Sequence, residues 1–144
     1  MHYYLSLGAN LGERERTLRQ AITYIEQQIG PVLRCSSYFY SEPWGFVSSH
    51  AFCNICCCVE SSLPPHEVLH ATQAIERSLG RTHKSLPPSE GSLPAYSDRL
   101  IDIDIIRVFD GDKEINIHTD ELTIPHPLWS AREFVRVPLE EIIQ

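Results

Sequence analysis

Residues 97–106, SDRLIDIDII, place two aspartates two positions apart in a run otherwise suited to a core. In a strand successive side chains alternate, so Asp102 and Asp104 share one face, about 6.5–7 Å apart along the chain. Ile101, Ile103 and Ile105 then turn to the other face and into the core. Isolated carboxylates are costly to bury, so the pattern predicts a strand whose isoleucines are inside and whose aspartates are not. Two adjacent carboxylates raise each other's pKa unless a cation lies between them. Oxygen donors with open positions suit Mg²⁺, which keeps waters and accepts substrate phosphates, and two such ions about 4 Å apart can clamp a phosphoryl displacement. A solvated strand face would carry the same D-x-D with no metal. Arg99, three residues before Asp102, weighs against that plainer reading.

Working outward, YYLSLGAN near the N-terminus alternates and meets Gly8, giving a first strand and a turn. In ERERTLRQAITYIEQQIG, Leu18, Ile22, Ile25 and Ile29 fall at helical spacing, and Gly30-Pro31 is a stop. VLRCSSYFYSEP reads as a second strand and AFCNICCCVESS as a third. Pro64-Pro65 opens a second helix with Leu69, Ile75 and Leu79 on its apolar side and Gly80 at its end. Residues 81–98 lack periodicity and are rich in Pro, Ser and Gly; loops this long in a compact domain usually serve function or are disordered. They lead straight into the aspartate strand. DGDKEINIH supplies a turn and a short strand, PHPLWSAREF a proline-led turn or short helix, and VRVPLEEII ends the chain. Strand, helix, strand, strand, helix, strand is the split βαβ, ferredoxin-like pattern. The expected fold is therefore α+β, a βαββαβ core with an extra hairpin and short C-terminal elements, in one domain over residues 1–144. Two helices would cover one face of an antiparallel-rich sheet and leave the other free for a site.

The 144 residues suffice for one cored domain, and 42% hydrophobic with 22% charged residues is ordinary for a globular protein. The formal net charge of −7 argues against nonspecific nucleic-acid binding. No apolar segment approaches a membrane span, and the N-terminus lacks the order of a signal peptide. A cytoplasmic protein is expected, with no membrane or nucleic-acid partner. Cys53 and Cys56 spell C-x-x-C, but in a strand an odd separation points the thiols to opposite sides. No second pair completes a zinc shell, so Cys35, Cys53, Cys56, Cys57 and Cys58 read as free cysteines, the clustered four as small core residues.

Neither a G-x-x-x-x-G-K-[ST] loop nor G-x-G-x-x-G occurs, so phosphates must be met by side chains and metal. Arg81, His83, Lys84, Arg99, His126 and Arg132 are the candidates. Arg81 and Arg99 bracket the long loop, which could fold over a polyphosphate and exclude water. Phe52, Trp44 and Phe134 offer faces to a flat ring. Asn54, set inside FCNICCC, needs hydrogen-bond partners if buried, from a ligand or from backbone.

DRLIDIDII followed by LTIPHPLWSAREFVRVPLEEI resembles the 6-hydroxymethyl-7,8-dihydropterin pyrophosphokinases of folate biosynthesis. SLGANLG, SSYFYSEPWG, FCNICCCVE and TQAIERSLGR follow the same family's order, so the likeness covers nearly the whole chain. The resemblance implies transfer of the β,γ-pyrophosphoryl group of ATP to the pterin's hydroxymethyl oxygen, releasing AMP. It implies that Asp102 and Asp104 bind two Mg²⁺, and that Arg81 and Arg99 neutralise charge on the transferring group. It implies a nucleotide site of Gln73, Glu76, Arg81, His83, Arg99, Ile105, Thr123, His126 and Arg132, with His83 standing where some members carry arginine. It implies a pterin pocket of Glu42, Pro43, Trp44, Phe52, Asn54 and Phe134. The expected partners are ATP and the pterin alone, and a monomer is expected. Two other readings stay open on the residues: a noncatalytic ferredoxin-like ligand-binding module, and another Mg²⁺-dependent phosphoryl transferase.

Overall fold

Strand β1 (His2–Ala9) alternates Tyr3, Leu5, Leu7 and Ala9 with Tyr4, Ser6 and Gly8, and the two sets face opposite ways. The computed structural model describes residues 1–9, 13–41, 52–80 and 101–143. Helix α1 (Arg14–Gln28) buries Leu18, Ala21 and Ile25 at helical spacing. It stops before Gly30, where a Cβ would lie 1.9 Å from the Glu60 carbonyl oxygen. Two short strands follow, β2 (Val32–Cys35) and β3 (Phe39–Ser41), and then β4 (Phe52–Glu60). Helix α2 (Pro65–Leu79) has proline in its first turn, where a missing N–H costs nothing. Strand β5 (Asp102–Asp110) carries the aspartates. Three two-residue strands come next: β6 (Lys113–Glu114), β7 (Ile117–His118) and β8 (Thr123–Ile124). A single 3₁₀ turn (Trp129–Ala131) leads into helix α3 (Glu133–Ile142).

The main sheet runs β2-β4-β1-β5-β6 with β3 also on β4, and every pairing is antiparallel; β7 and β8 form a separate pair. The architecture is thus a mixed α+β one with an antiparallel sheet and three helices among the described residues. Helices α1 and α2 cover one face. There Leu18, Ile25, Val68 and Ile75 pack against Tyr3, Leu5, Leu7, Cys53, Cys57, Val59, Ile103 and Ile105.

Two expectations need correction. The stretch 32–41 is two strands, not one. Ser36 still pairs with Cys56, its N–H donating to the carbonyl at 2.8 Å. The next N–H, of Ser37, turns away to the Glu141 carboxylate, with oxygens at 3.0 and 3.1 Å, and the ladder breaks. The far face of the sheet is also not left bare by two helices. Val135, Pro138, Leu139 and Ile142 recur at i, i+3, i+4 and i+7, and α3 seats them on Tyr4, Cys56, Cys58 and Ile106. A ten-residue helix interrupted by Pro138 is marginal alone. Tertiary contacts hold it: Arg34 Nε donates to the Ile142 carbonyl at 3.0 Å, placing a cation at a helix C-terminus. Arg34 also reaches the Tyr4 hydroxyl at 3.1 Å.

Between Leu5 and Tyr4 the register of β1 on β5 slips: Leu5 faces Ile105 but Tyr4 faces Arg107. Ile106 is the extra residue of a β-bulge. Ile105 and Val108 therefore lie on the α1–α2 side, while Ile106 and Phe109 belong with α3.

The cysteines behave as expected of core residues. Cys53 and Cys57 face α1 and α2, Cys56 faces α3, and all five are free. Burial pushes the Cys56 thiol up to about 12 and that of Cys57 well above its ordinary value, so neither supplies a reactive thiolate.

Candidate active site

Strand register draws the key side chains into rows. Asn54 on β4 lies opposite Gly8 on β1, and Gly8 lies opposite Asp102 on β5. The next row holds Cys56, Ser6 and Asp104. With neighbouring strands about 4.8 Å apart, Asn54 and Asp102 stand roughly 10 Å apart across the missing side chain of Gly8. A cleft of about 700 Å³ opens over these rows. Its floor is Ser6, Gly8, Asn54, Asp102 and Asp104; Phe39, Ser41 and Phe52 form one wall, and residues 131–135 at the head of α3 form the other.

Gly8 leaves room for the Asn54 amide, because a Cβ there would meet Nδ2 at 2.5 Å and push it aside. Asn54 is 5% exposed, yet its Oδ1 has no hydrogen-bond partner among the described residues. A buried amide oxygen left unsatisfied costs about 1–3 kcal/mol, and in a cleft floored by this residue it marks a place for a donor from a ligand. Phe52 and Phe134, both partly exposed, line the same cleft as flat apolar surfaces. One end of the cleft therefore offers an apolar sandwich with an amide, and the other offers paired carboxylates.

A family model described as 7,8-dihydro-6-hydroxymethylpterin-pyrophosphokinase matches residues 4–144. The chain belongs to that family. It is similar to the 2-amino-4-hydroxy-6-hydroxymethyldihydropteridine pyrophosphokinase of Porphyromonas gingivalis, with 44% identity over 139 residues, covering 96% of this chain and 88% of the relative. The Bacillus subtilis protein of the same name is 37% identical over 142 residues, covering 98% of this chain and 77% of its own. That of Methylorubrum extorquens is 30% identical over 140 residues, covering 96% and 80%. This pyrophosphokinase is thus an enzyme of folate biosynthesis.

Of the residues expected in the pyrophosphokinase site, the cleft unites Phe52, Asn54, Asp102, Asp104, Arg132 and Phe134. Arg132 lies over Phe134, its guanidinium carbon 5.9 Å from the ring centre. His126 stands beside the cleft. Its backbone N–H donates to the Ile106 carbonyl at 2.8 Å, which ties the turn after β8 to the edge of β5. Its Nδ1 accepts from the Leu128 N–H at 3.2 Å. Burial, and then the positive charge of Arg132, hold the imidazole below its ordinary value.

Other expected residues do not line the cleft. Ile105 is buried in the α1–α2 core, as its strand phase requires. Gln73 is exposed on α2, and Thr123 is half-buried at the start of β8. Glu76 is 5% exposed on α2, and its Oε2 accepts the Ile103 N–H at 2.6 Å. Glu42, Pro43, Trp44, Arg81, His83, Lys84 and Arg99 lie outside the described residues.

Sequence reasoning missed the cleft's own frame: Ser6, Gly8, Phe39, Tyr40 and Ser41. The signal was present, since Ser6 and Gly8 are the small positions alternating with Leu5, Leu7 and Ala9. Tyr40 had none, because its place depends on α1. Its hydroxyl donates to Glu15 Oε2 at 2.5 Å, which raises the phenol to about 12, and Arg14 lies over its ring at 5.5 Å.

The donor set fits Mg²⁺. Asp102 is partly buried and Asp104 exposed on the cleft floor, and both supply hard oxygens on one face. Among the described residues no three or more His, Cys, Asp or Glu form a closed cage. An ion held here would complete its shell from substrate and water, as Mg²⁺ at phosphate sites does. Among the described residues no helix is long and apolar enough to cross a membrane.

Proposed function

We propose that this chain transfers the β,γ-pyrophosphoryl group of ATP to the hydroxymethyl oxygen of 6-hydroxymethyl-7,8-dihydropterin and releases AMP. The observation that carries the site assignment is the row Asn54–Gly8–Asp102, with an unpartnered amide oxygen at one end and a carboxylate at the other. The pterin ring lies between Phe52 and Phe134, and Asn54 Oδ1 accepts from its amide and amino edge. Family likeness adds Glu42, Pro43 and Trp44 as further pterin contacts. The hydroxymethyl arm then points along the row toward Asp102 and Asp104.

The pterin oxygen attacks Pβ, a P–O bond forms there, and the bond from Pβ to the oxygen of the α-phosphate breaks, leaving AMP. The hydroxyl proton passes to water. Such transfers depend on in-line positioning and charge stabilisation rather than on a nucleophilic side chain. Two Mg²⁺, when bound by Asp102 and Asp104, supply neutralisation of the phosphates and a more acidic acceptor hydroxyl. Arg132 and His126 face the nucleotide's phosphates with Arg81, His83 and Arg99; family likeness adds Gln73, Glu76, Ile105 and Thr123 to the nucleotide site, with buried Ile105 reaching it only through its backbone.

The sheet order, with the second strand of the core split into β2 and β3, supports a ferredoxin-like βαββαβ core in a single domain over residues 1–144. The enzyme works as a cytoplasmic monomer on its two small substrates. The test is product identity with ATP, Mg²⁺ and the pterin alcohol. AMP formed one-for-one with a diphosphorylated pterin is expected; ADP would overturn the proposal in favour of an ordinary kinase, and no turnover in favour of a binding module.

A further inference from the structure

Beyond the cleft, β5 carries an ion pair that touches none of the cleft. Arg107 donates from Nε and Nη2 to the two carboxylate oxygens of Glu114 at 2.9 and 2.8 Å, a two-bond fork between side chains only about a quarter exposed. The guanidinium carbon lies 5.1 Å from the Phe109 ring centre and 5.3 Å from that of Trp129. Burying such a pair is costly, and hydrophobic replacements are often as stable, so the pair calls for a role besides stability. Its contacts indicate one. Trp129 heads the 3₁₀ turn that leads into Arg132: its N–H donates to the His126 carbonyl at 3.3 Å, and its carbonyl accepts from the Arg132 N–H at 3.4 Å. From Arg132 onward the chain is held by α3, whose Arg136 N–H donates to the Arg132 carbonyl at 2.8 Å. The turn 129–131 thus has one end fixed by helix docking, and the Arg107 stack fixes the other.

We propose that Arg107, oriented by Glu114, is a positioning residue that sets Arg132 and His126 toward the nucleotide by clamping the Trp129 ring. This rests on reading Arg132 and His126 as nucleotide contacts. The bulge at Ile106 makes the arrangement possible, because it turns Arg107 onto the same side of β5 as Trp129. The bidentate fork holds the guanidinium plane for stacking in a way that an ammonium cannot.

The test compares wild type with Arg107→Met, Arg107→Lys, Trp129→Leu and the Arg107→Met/Trp129→Leu double variant. Readouts are KM for ATP, kcat, affinity for the pterin, calorimetric affinity for a nonhydrolysable ATP analogue, and thermal midpoint. Arg107→Met and Trp129→Leu should each raise the KM for ATP and weaken the analogue by about tenfold. Pterin affinity should stay within about twofold. The double variant should lose little more than either single one, because both break one coupling. Lysine should rescue only in part. A lowered thermal midpoint with unchanged ATP parameters would overturn the proposal and leave a structural ion pair. Full additivity, or full rescue by lysine, would also overturn it. Should Arg107→Met not fold, Glu114→Gln reads the same coupling, with about a threefold loss expected and none refuting it. An inactive wild type removes the pyrophosphokinase reading instead, and analogue binding still decides the clamp.

Discussion

The buried carboxylate of Glu76 accepts the backbone N–H of Ile103 at 2.6 Å, at the residue between the two aspartates. This N–H lies on the edge of β5 away from β1, so α2 pins the aspartate strand through one charge-assisted bond. Glu76→Ala should leave that N–H buried and unpaired, costing about 1–3 kcal/mol in urea unfolding, and should slow turnover as the strand loosens. Glu76→Gln keeps an acceptor and should retain most of the stability. Equal losses in the two variants would remove the pinning role.

Asp104 is exposed, so Asp104→Ala should change stability by no more than about 1 kcal/mol. Turnover should nevertheless nearly vanish. A variant that unfolds like wild type and keeps its rate would exclude the carboxylate pair as the metal clamp.

Asn54 trades stability for binding. Its Oδ1 has no partner among the described residues, so Asn54→Leu should leave the free protein as stable as wild type, or about 1 kcal/mol more stable. Pterin affinity should collapse. Calorimetric titration with the pterin alongside thermal melts gives both values, and unchanged affinity would clear Asn54 of the role.

Gly8→Ala should displace the Asn54 amide, since the new methyl would sit 2.5 Å from Nδ2. The expected result is weaker pterin binding together with an overpacking cost of about 1–3 kcal/mol. A Gly8→Ala enzyme with native pterin affinity would show that the amide has room to move.

His126 is held below its ordinary value by burial and by Arg132. Between its folded value and 6.5, the unfolded chain binds the proton and the folded chain does not. Stability from this group therefore rises with pH through that window and is lost on acidification. Thermal midpoints taken at about pH 7 and about pH 5 should fall less steeply for His126→Gln than for wild type. Parallel slopes would refute the assignment.

Much of this was legible in the chain. Asp102 and Asp104 declared their shared face through period two, and the Leu18 and Ile25 spacing declared α1. What escaped depends on distant partners. The break at Ser37 requires Glu141 from the far end of the chain, and α3 was obscured by Pro138, whose cost is met by docking on Tyr4 and Ile106. The second task of Glu76 could not be read either, because a helical glutamate gives no sign of which strand edge it will meet. The cleft's composition was legible at Asn54, whose polarity stood out in an apolar strand. Ser6 and Gly8 carried a signal in their alternation with Leu5, Leu7 and Ala9, but small residues reveal a floor only once a roof is placed above them.

The slip at Ile106 has a practical side for protein engineering. It exchanges the two sides of β5 midway, so the portion before it serves chemistry and the portion after it serves as buttress. Deleting Ile103 would make the two aspartates neighbours, so that one of them turns toward α1 and α2 and the pair is lost. Deleting Ile106 itself would remove the bulge, restore regular alternation and leave Asp102, Asp104, Arg107 and Phe109 on the faces they already hold. Anyone transplanting the metal-holding segment into another scaffold should therefore cut before the slip rather than after it.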